Sequence, residues 1–263
     1  MKKIILALVI AGLCVPAMAS TKAKWKAGHL EYFESKTQET VLPLPALQFY
    51  DEFIRSISTI PVYNAAANVT TDDTWRYKFT GTPTVSFLTS EDGGGIYITL
   101  DVTASEAEQG TIYMADLEQF NPAKNLGYNT KATAYTLPTT VGTAEVGFGL
   151  MGPVGTSVDG SGNALMFMVR YSDTNWQAVV NDAENTQTIT DTGVAAVAGT
   201  YHDFRIECYD TDNVRFFIDG NTVATSAANV TSVLFQPFYS VYKAGSTGGG
   251  ALKAKFIRIW QDR

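Results

Sequence analysis

Few residues in this chain combine the types and spacing that chemistry demands. Acid–base work by carboxylates needs two of them facing one another across a cleft. Glu145 and Glu207 are the best such pair from separate segments, each lying opposite the apolar set of its own alternating run. Gly147 and Gly149 beside Glu145 would leave room for a ligand. The weightier reading of the pair is solvated surface charge, the default for Glu. Glu106 and Glu108 stand two apart, in a stretch, Ala104 to Gly110, that reads as a loop. His202 is the one histidine in the β-rich part of the chain, and it stands at a strand start. No G-x-S-x-G element, phosphate-binding glycine loop or H-E-x-x-H pair occurs. Exposed aromatic faces flanked by Asp, Asn and Gln can hold sugars, and Trp176, Tyr171, Tyr239 and Tyr242 are the candidates. Core packing competes for each ring, above all for Trp176, which precedes the apolar run Ala178-Val179-Val180.

Those residues need a frame, and composition indicates its kind. The chain has 263 residues, 45 % of them apolar and only 17 % charged, against about 25 % charged in a typical domain. Its 22 Gly, 13 Tyr and 14 Phe favour strands and turns. A net charge of −7 argues against a nucleic-acid partner, since a phosphate backbone wants a basic face. Two Cys exclude a disulfide-rich scaffold, and two His, His29 and His202, exclude a His-rich metal site.

From Thr74 onward apolar residues alternate with polar ones. Trp75, Tyr77 and Phe79 make one such run, and Ile96, Ile98, Leu100 and Val102 another, with Tyr97 and Thr99 on its other face. Val146, Phe148 and Leu150 follow, then Leu165, Phe167, Val169 and Tyr171. Phe204, Ile206 and Cys208 precede Val214, Phe216 and Ile218, with Asp210 to Asn213 as the turn between them. Asp219-Gly220-Asn221 is a strong hairpin signal. Phe235 to Tyr242 and Leu252 to Trp260 supply the last strands. The pattern predicts an all-β fold, an antiparallel sandwich or jelly roll over residues 61–263. Strands apolar on both faces, such as Phe235 to Tyr242, imply cover on both sides, from the chain itself or from a second subunit.

The beginning of the chain reads differently. Lys2-Lys3, the apolar run Ile4 to Val15 and Ala17-Met18-Ala19 have the order of a secretory signal, so residues 1–19 are expected to be removed and the protein exported. Cys14 leaves with that segment, and Cys208 is expected to be a buried apolar side chain. Residues 20–60 read as an arm or linker, with one short helix suggested by Leu47, Tyr50, Ile54 and Ile57. An edge strand through Leu47 to Phe53 is the competing reading. No later stretch has the apolar length of a membrane helix.

The later half resembles the concanavalin A-like lectin/glucanase superfamily, in its LamG-like jelly-roll branch. The resemblance is carried by Tyr201-His202-Asp203-Phe204-Arg205-Ile206, by Val214 to Ala224 with its Phe216-Phe217-Ile218-Asp219-Gly220 core, and by Lys253 to Trp260. It extends over about residues 74–263 and implies the fold rather than an activity, since lectins, hydrolases, lyases and structural domains share it. Several related glycosidases carry Glu-x-Asp-x-x-Glu on one strand, and that motif is absent here. The resemblance also makes calcium the candidate cofactor. Asp159 with Asn163 and Asp210 with Asp212 would supply its oxygens, although polar turns are the simpler account. The expectation is an exported, non-catalytic jelly roll with a structural, adhesive or glycan-binding role, its partner a polysaccharide, a cell-surface glycan or a second subunit. The alternative is a secreted polysaccharide-degrading enzyme.

Overall fold

The computed structural model describes residues 21–26, 29–34, 47–53, 75–88, 94–103, 105–114, 119–139, 144–153, 162–182, 186–210, 213–227, 230, 234–245 and 247–262. The expected signal segment lies outside them. The chain divides into two units, residues 1–46 and 47–263. In the first, β1 (Thr21–Lys26) and β2 (His29–Glu34) form an antiparallel hairpin with Thr21 opposite Glu34.

The second unit is built from two antiparallel sheets. Sheet I has seven strands in the order β12 (Gln187–Ala195), β11 (Asn175–Asn181), β10 (Ala164–Arg170), β9 (Glu145–Met151), β16 (Gln236–Lys243), β7 (Glu108–Tyr113) and β4 (Arg76–Thr80). Sheet II has eight, in the order β15 (Asn221–Ser226), β14 (Asn213–Ile218), β13 (His202–Asp210), β8 (Gly127–Thr136), β17 (Ala251–Gln261), β6 (Ile96–Thr99) and β5 (Thr84–Phe87), with β3 (Leu47–Asp51) pairing β17 off that path. This is the jelly-roll sandwich that the alternation predicts. Among the described residues the only helical element is a 3-10 turn at Pro122–Lys124, and no helix is long and apolar enough to cross a membrane.

The helix suggested around Leu47 is not what forms. Leu47–Asp51 is a strand whose backbone pairs with β17, Phe49 opposite Ile259 and Asp51 opposite Ile257. Phe49 packs against Trp75 at 5.9 Å, and the Asp51 carboxylate accepts from Trp75 Nε1 at 2.8 Å and from the Phe53 amide at 2.7 Å. A ladder partner and an aromatic neighbour outweigh local helical spacing. Ile54 and Ile57 lie outside the described residues.

The core lies between the sheets. Phe204 stands opposite Ile218, Ile206 opposite Phe216 and Cys208 opposite Val214, and all six are buried. Burial pushes the Cys208 thiol up to about 12, so it serves as a small apolar side chain. An aromatic cluster crosses the gap: Phe204 of sheet II meets Phe148, Phe167 and Trp176 of sheet I at 4.8, 4.8 and 4.9 Å. The Tyr239 hydroxyl of sheet I meets the Thr130 hydroxyl of sheet II at 2.8 Å.

The hairpin tip at Asp219-Gly220 is where sequence dictates geometry most directly. Both residues have positive φ, 50° and 82°, as a two-residue turn matched to strand twist requires. The Asp219 carboxylate accepts from His202 Nδ1 at 2.6 Å and from the Asp203 amide at 2.9 Å. Burial alone would raise its pKa, but those two hydrogen bonds outweigh burial and hold it below the ordinary value. A Cβ at Gly220 would touch nothing within 4 Å, so a substitution there is opposed by backbone strain alone. Gly220→Val is expected to cost about 1–3 kcal/mol, and Asn221→Ser less than about 0.5 kcal/mol, in thermal unfolding.

Candidate functional site

The two carboxylates weighed as an alternative catalytic pair do not face one another. Glu145 lies on β9 and faces outward from sheet I, because Val146, Phe148 and Leu150 face the core. Glu207 lies on β13 and faces outward from sheet II, because Ile206 and Cys208 face the core. The whole sandwich separates them. Glu145 is 6 % exposed and pairs with Arg170 Nε at 3.3 Å across the β9–β10 ladder. Glu207 pairs with Arg205 at 3.3 Å and accepts from the Tyr209 hydroxyl. The expectation of a solvated surface charge therefore fails for Glu145. Glu145→Gln is expected to cost about 1–3 kcal/mol in denaturant unfolding, as loss of a charge-assisted contact does, while Glu207→Gln stays within about 0.5 kcal/mol.

The outward face of sheet I is closed around its middle. Tyr113, Met151, Met166, Met168, Val179 and Phe238 form a second buried apolar cluster there. Gly149 stands opposite Met166, and a Cβ on it would meet the Leu165 carbonyl oxygen at 2.2 Å. Its missing side chain makes way for the neighbouring strand and not, as expected, for a ligand. Tyr242 stands beside Glu145 in the β16–β9 register and is half-buried against that cluster. These are the two expected site residues that the fold brings together.

Trp176 and Tyr239 are 1 % and 0 % exposed, so neither can offer its face to a sugar as expected. Trp176 packs edge-on against Phe148 at 5.6 Å, and Tyr239 stacks on Phe148 at 6.2 Å. Alternation within each strand turns both inward. Of the expected cation ligands, Asp159 and Asp212 lie outside the described residues. The backbone of Asp210 pairs with Asn213 at the end of β13, and Asn163 holds a buried Oδ1 with no hydrogen-bond partner. Among the described residues no three His, Cys, Asp or Glu side chains come together.

Tyr171, just past the end of β10, is exposed as a sugar-stacking ring would need, and Phe79 of β4 is exposed too, but the exposed rings with cations beside them lie on the outward face of sheet II. Lys253 of β17 sits over the Tyr135 ring at 4.0 Å and near the Tyr97 ring at 5.5 Å. Those rings, from β8 and β6, meet edge to face at 5.9 Å. Lys255 lies 5.6 Å from the Tyr201 ring, and Arg258 lies 5.4 Å from the Trp260 ring. Tyr50 and Phe256 face one another at 6.2 Å. Further along, Arg205 covers Phe217 at 4.1 Å and Arg215 covers Tyr209 at 4.3 Å. Tyr50 and Tyr135 are 43 % and 45 % exposed, so the ladder meets solvent. A Cβ at Gly127 would collide with the Trp260 ring at 2.0 Å, so this glycine lets the indole lie flat on β8.

Sequence reasoning did not single out this ladder as a site. Its half on β17 is legible, since Lys253 and Lys255 alternate with buried Leu252 and Ala254. Its other half is not. Tyr135 belongs to β8, an Ala- and Thr-rich strand without a strong apolar alternation, and only the β17–β8 and β17–β6 registers bring the rings together.

The architecture recurs among solved structures. An endo-1,3-beta-glucanase from Streptomyces sioyaensis superposes with a TM-score of 0.56 at 15 % identity, over 85 % of this chain and 99 % of its own. A beta-glucanase from Bacillus licheniformis gives 0.53 at 14 % identity, over 82 % and 98 %. The chain has the jelly-roll fold of these glucanases. A protein of unknown function from Shewanella oneidensis shares it too, at 0.52 and 13 % identity, over 84 % of this chain and 89 % of that one. No protein-family model matches the sequence, and no curated protein matches it. At such identities the likeness concerns fold, and activity depends on the residues of this chain.

Proposed function

We propose that this is an exported jelly-roll protein that recognises polysaccharide through the outward face of sheet II. The observation that carries the reading is the ladder of Tyr50, Tyr97, Tyr135, Tyr201 and Trp260 on that face, with cations beside its rings and with Tyr50 and Tyr135 open to solvent. Flat rings offer apolar area to the C–H face of a sugar, and the adjoining polar groups orient it. A glucanase fold and the Tyr201–Ala224 hairpin region support a place near the LamG-like branch. The order of charged, apolar and small residues in positions 1–19 supports export. N-terminal sequencing of the secreted protein is expected to begin at Ser20, and Met1 on the secreted chain would remove the compartment from the proposal.

The second reading is a secreted polysaccharide-degrading enzyme. The glucanase neighbours favour it more directly than they favour a purely structural or adhesive role. Against it, Glu145 and Glu207 stand on opposite outer faces, where two-carboxylate hydrolysis needs them about 5–10 Å apart. Incubation with β-1,3-glucan and mixed-linkage β-glucan, read as released reducing ends, separates the two. Retention on the polymer without release is the expected result, and turnover abolished by Glu145→Gln would establish the enzyme instead.

A further inference from the structure

An open sheet edge offers unpaired amides and carbonyls to any further strand, so edges usually carry a device that discourages one. Most edges of the second unit do. β4 carries Arg76 and Lys78. β5 is only four residues long and follows Pro83. β15 is offset by a bulge against Phe216 and Phe217 of β14. β3 turns Asp51 onto the Trp75 indole at 2.8 Å. β12 differs from all of them. It is nine residues long and ends sheet I, and among the described residues it forms a ladder with β11 alone. From Gln187 to Thr190 it holds no charge, proline or bulge, and Gln187, Thr188 and Ile189 are exposed. Ile189 stands opposite Val179, so at 40 % exposure it carries the buried apolar cluster of the outward face of sheet I out to solvent.

The strand that fits this edge best is β12 itself. An antiparallel pair centred on Ile189 sets Ile189 against Ile189, Thr188 against Thr190, and Gln187 against Asp191 of the second copy. Apolar pairs and threonine pairs directly opposite one another stabilise a ladder. Asp191 Oδ1 accepts from Asn175 Nδ2 at 3.0 Å and from the Gly193 amide at 2.7 Å, which leaves the carboxylate capacity for the Gln187 amide of the second copy. The two Asp191 residues would stand about 13 Å apart along the pair, beyond the screening length of physiological salt. Centring on Thr190 would instead set Ile189 against Asp191, and centring on Thr188 would set it against Gln187. A two-fold axis perpendicular to sheet I joins the two copies into one continuous sheet and uses up the open edge of both, so the assembly closes at two. We propose that β12 pairs through Gln187–Asp191 with the β12 of a second copy to form a two-fold dimer. The same axis leaves both sheet II faces on one side, so under the polysaccharide reading the dimer holds one polymer at two places. The pairing itself does not depend on that reading.

The test is the mass of the secreted protein in sedimentation equilibrium, from micromolar to millimolar concentration and at low and moderate salt. Five paired residues make an edge at the small end of specific interfaces, so a reversible monomer–dimer equilibrium is expected, with no larger species. It should tighten as salt rises, because two copies of a chain with net charge −7 repel one another and salt screens that repulsion. Ile189→Lys sets two ammonium groups face to face at the axis and is expected to weaken dimerisation by about tenfold or more, with circular dichroism and the melting temperature of the monomer unchanged. Ile189→Cys is expected to cross-link under mild oxidation, since directly opposed residues lie about 4.5–5.5 Å apart at Cα, within disulfide reach. Gln187→Cys, whose two copies would stand about 13 Å apart, is expected to stay uncross-linked. Cys208 is buried and takes no part. A monomer at every concentration would overturn the proposal and leave the edge to a strand of another protein. A dimer untouched by Ile189→Lys, or equal cross-linking of the two cysteine variants, would overturn it as well and place the contact elsewhere.

Discussion

Lys243→Met is expected to destabilise the sandwich by about 3–5 kcal/mol, the range for removing one partner of a buried ion pair. Lys243 Nζ lies 3.0 Å from Glu108 Oε2, and both side chains are fully buried. Glu108 also accepts from the Thr82 amide and hydroxyl, each at 3.1 Å, and from the Asp101 amide at 2.9 Å. Lys243 donates further to the carbonyls of Asp101 at 2.6 Å and Gly248 at 3.2 Å. The pair thus ties together the β4–β5 turn, the segment after β6 and the connection from β16 to β17. Methionine fills the lysine's volume, so the loss is electrostatic: a carboxylate stays buried without its cation. For a domain of this size the melting temperature should fall by about 6–20 °C. A Lys243→Met/Glu108→Gln double variant should recover part of the loss, because the stranded charge goes with its partner. Equal melting temperatures for wild type and Lys243→Met would show that the pair contributes nothing.

That pair also shows why part of the fold was illegible. Ala104 to Gly110 reads as a loop, because Glu108 occupies a position that alternation reserves for an apolar residue. In β7 it faces inward, where Lys243, on a strand far along the chain, supplies the opposite charge. Binary patterning carries no such information, since the compensating residue is fixed by topology. Where inward positions are apolar, as in Val146-Phe148-Leu150 or Phe204-Ile206-Cys208, strand and facing were both readable. The same limit explains the site. Trp176 and Tyr239 look like ligand-stacking rings in isolation, and strand parity alone turns them inward. Glu145 and Glu207 share a facing rule but not a sheet, and sheet membership is not a local property. Tyr97 could be read as outward, yet its partnership with Lys253 and Tyr135 exists only through cross-strand register.

The readable half of the core makes the other large effect. Phe204→Ala is expected to cost about 3–5 kcal/mol, the range for truncating a buried aromatic residue. Phe204 is the sheet II member of the inter-sheet cluster. It meets Phe148 edge to face at 4.8 Å, Phe167 at 4.8 Å and Trp176 at 4.9 Å, with His202 at 6.0 Å along its own strand. Truncation removes its transfer free energy and leaves a void walled by the Phe148, Phe167 and Trp176 rings of sheet I, with its ladder partner Ile218 on the neighbouring strand of sheet II. Those walls lie on paired strands of two different sheets, so they cannot close inward without breaking ladder register. The loss should therefore fall at the high end of the range, with Phe204→Leu costing clearly less because most of the volume is kept. Urea unfolding with an unchanged slope and a lower midpoint is the expected reading. Because the substituted ring lies inside the sandwich, binding to the face of sheet II should persist at temperatures where the variant is folded. A Phe204→Ala loss below about 1 kcal/mol would mean that the two sheets do not meet through this cluster.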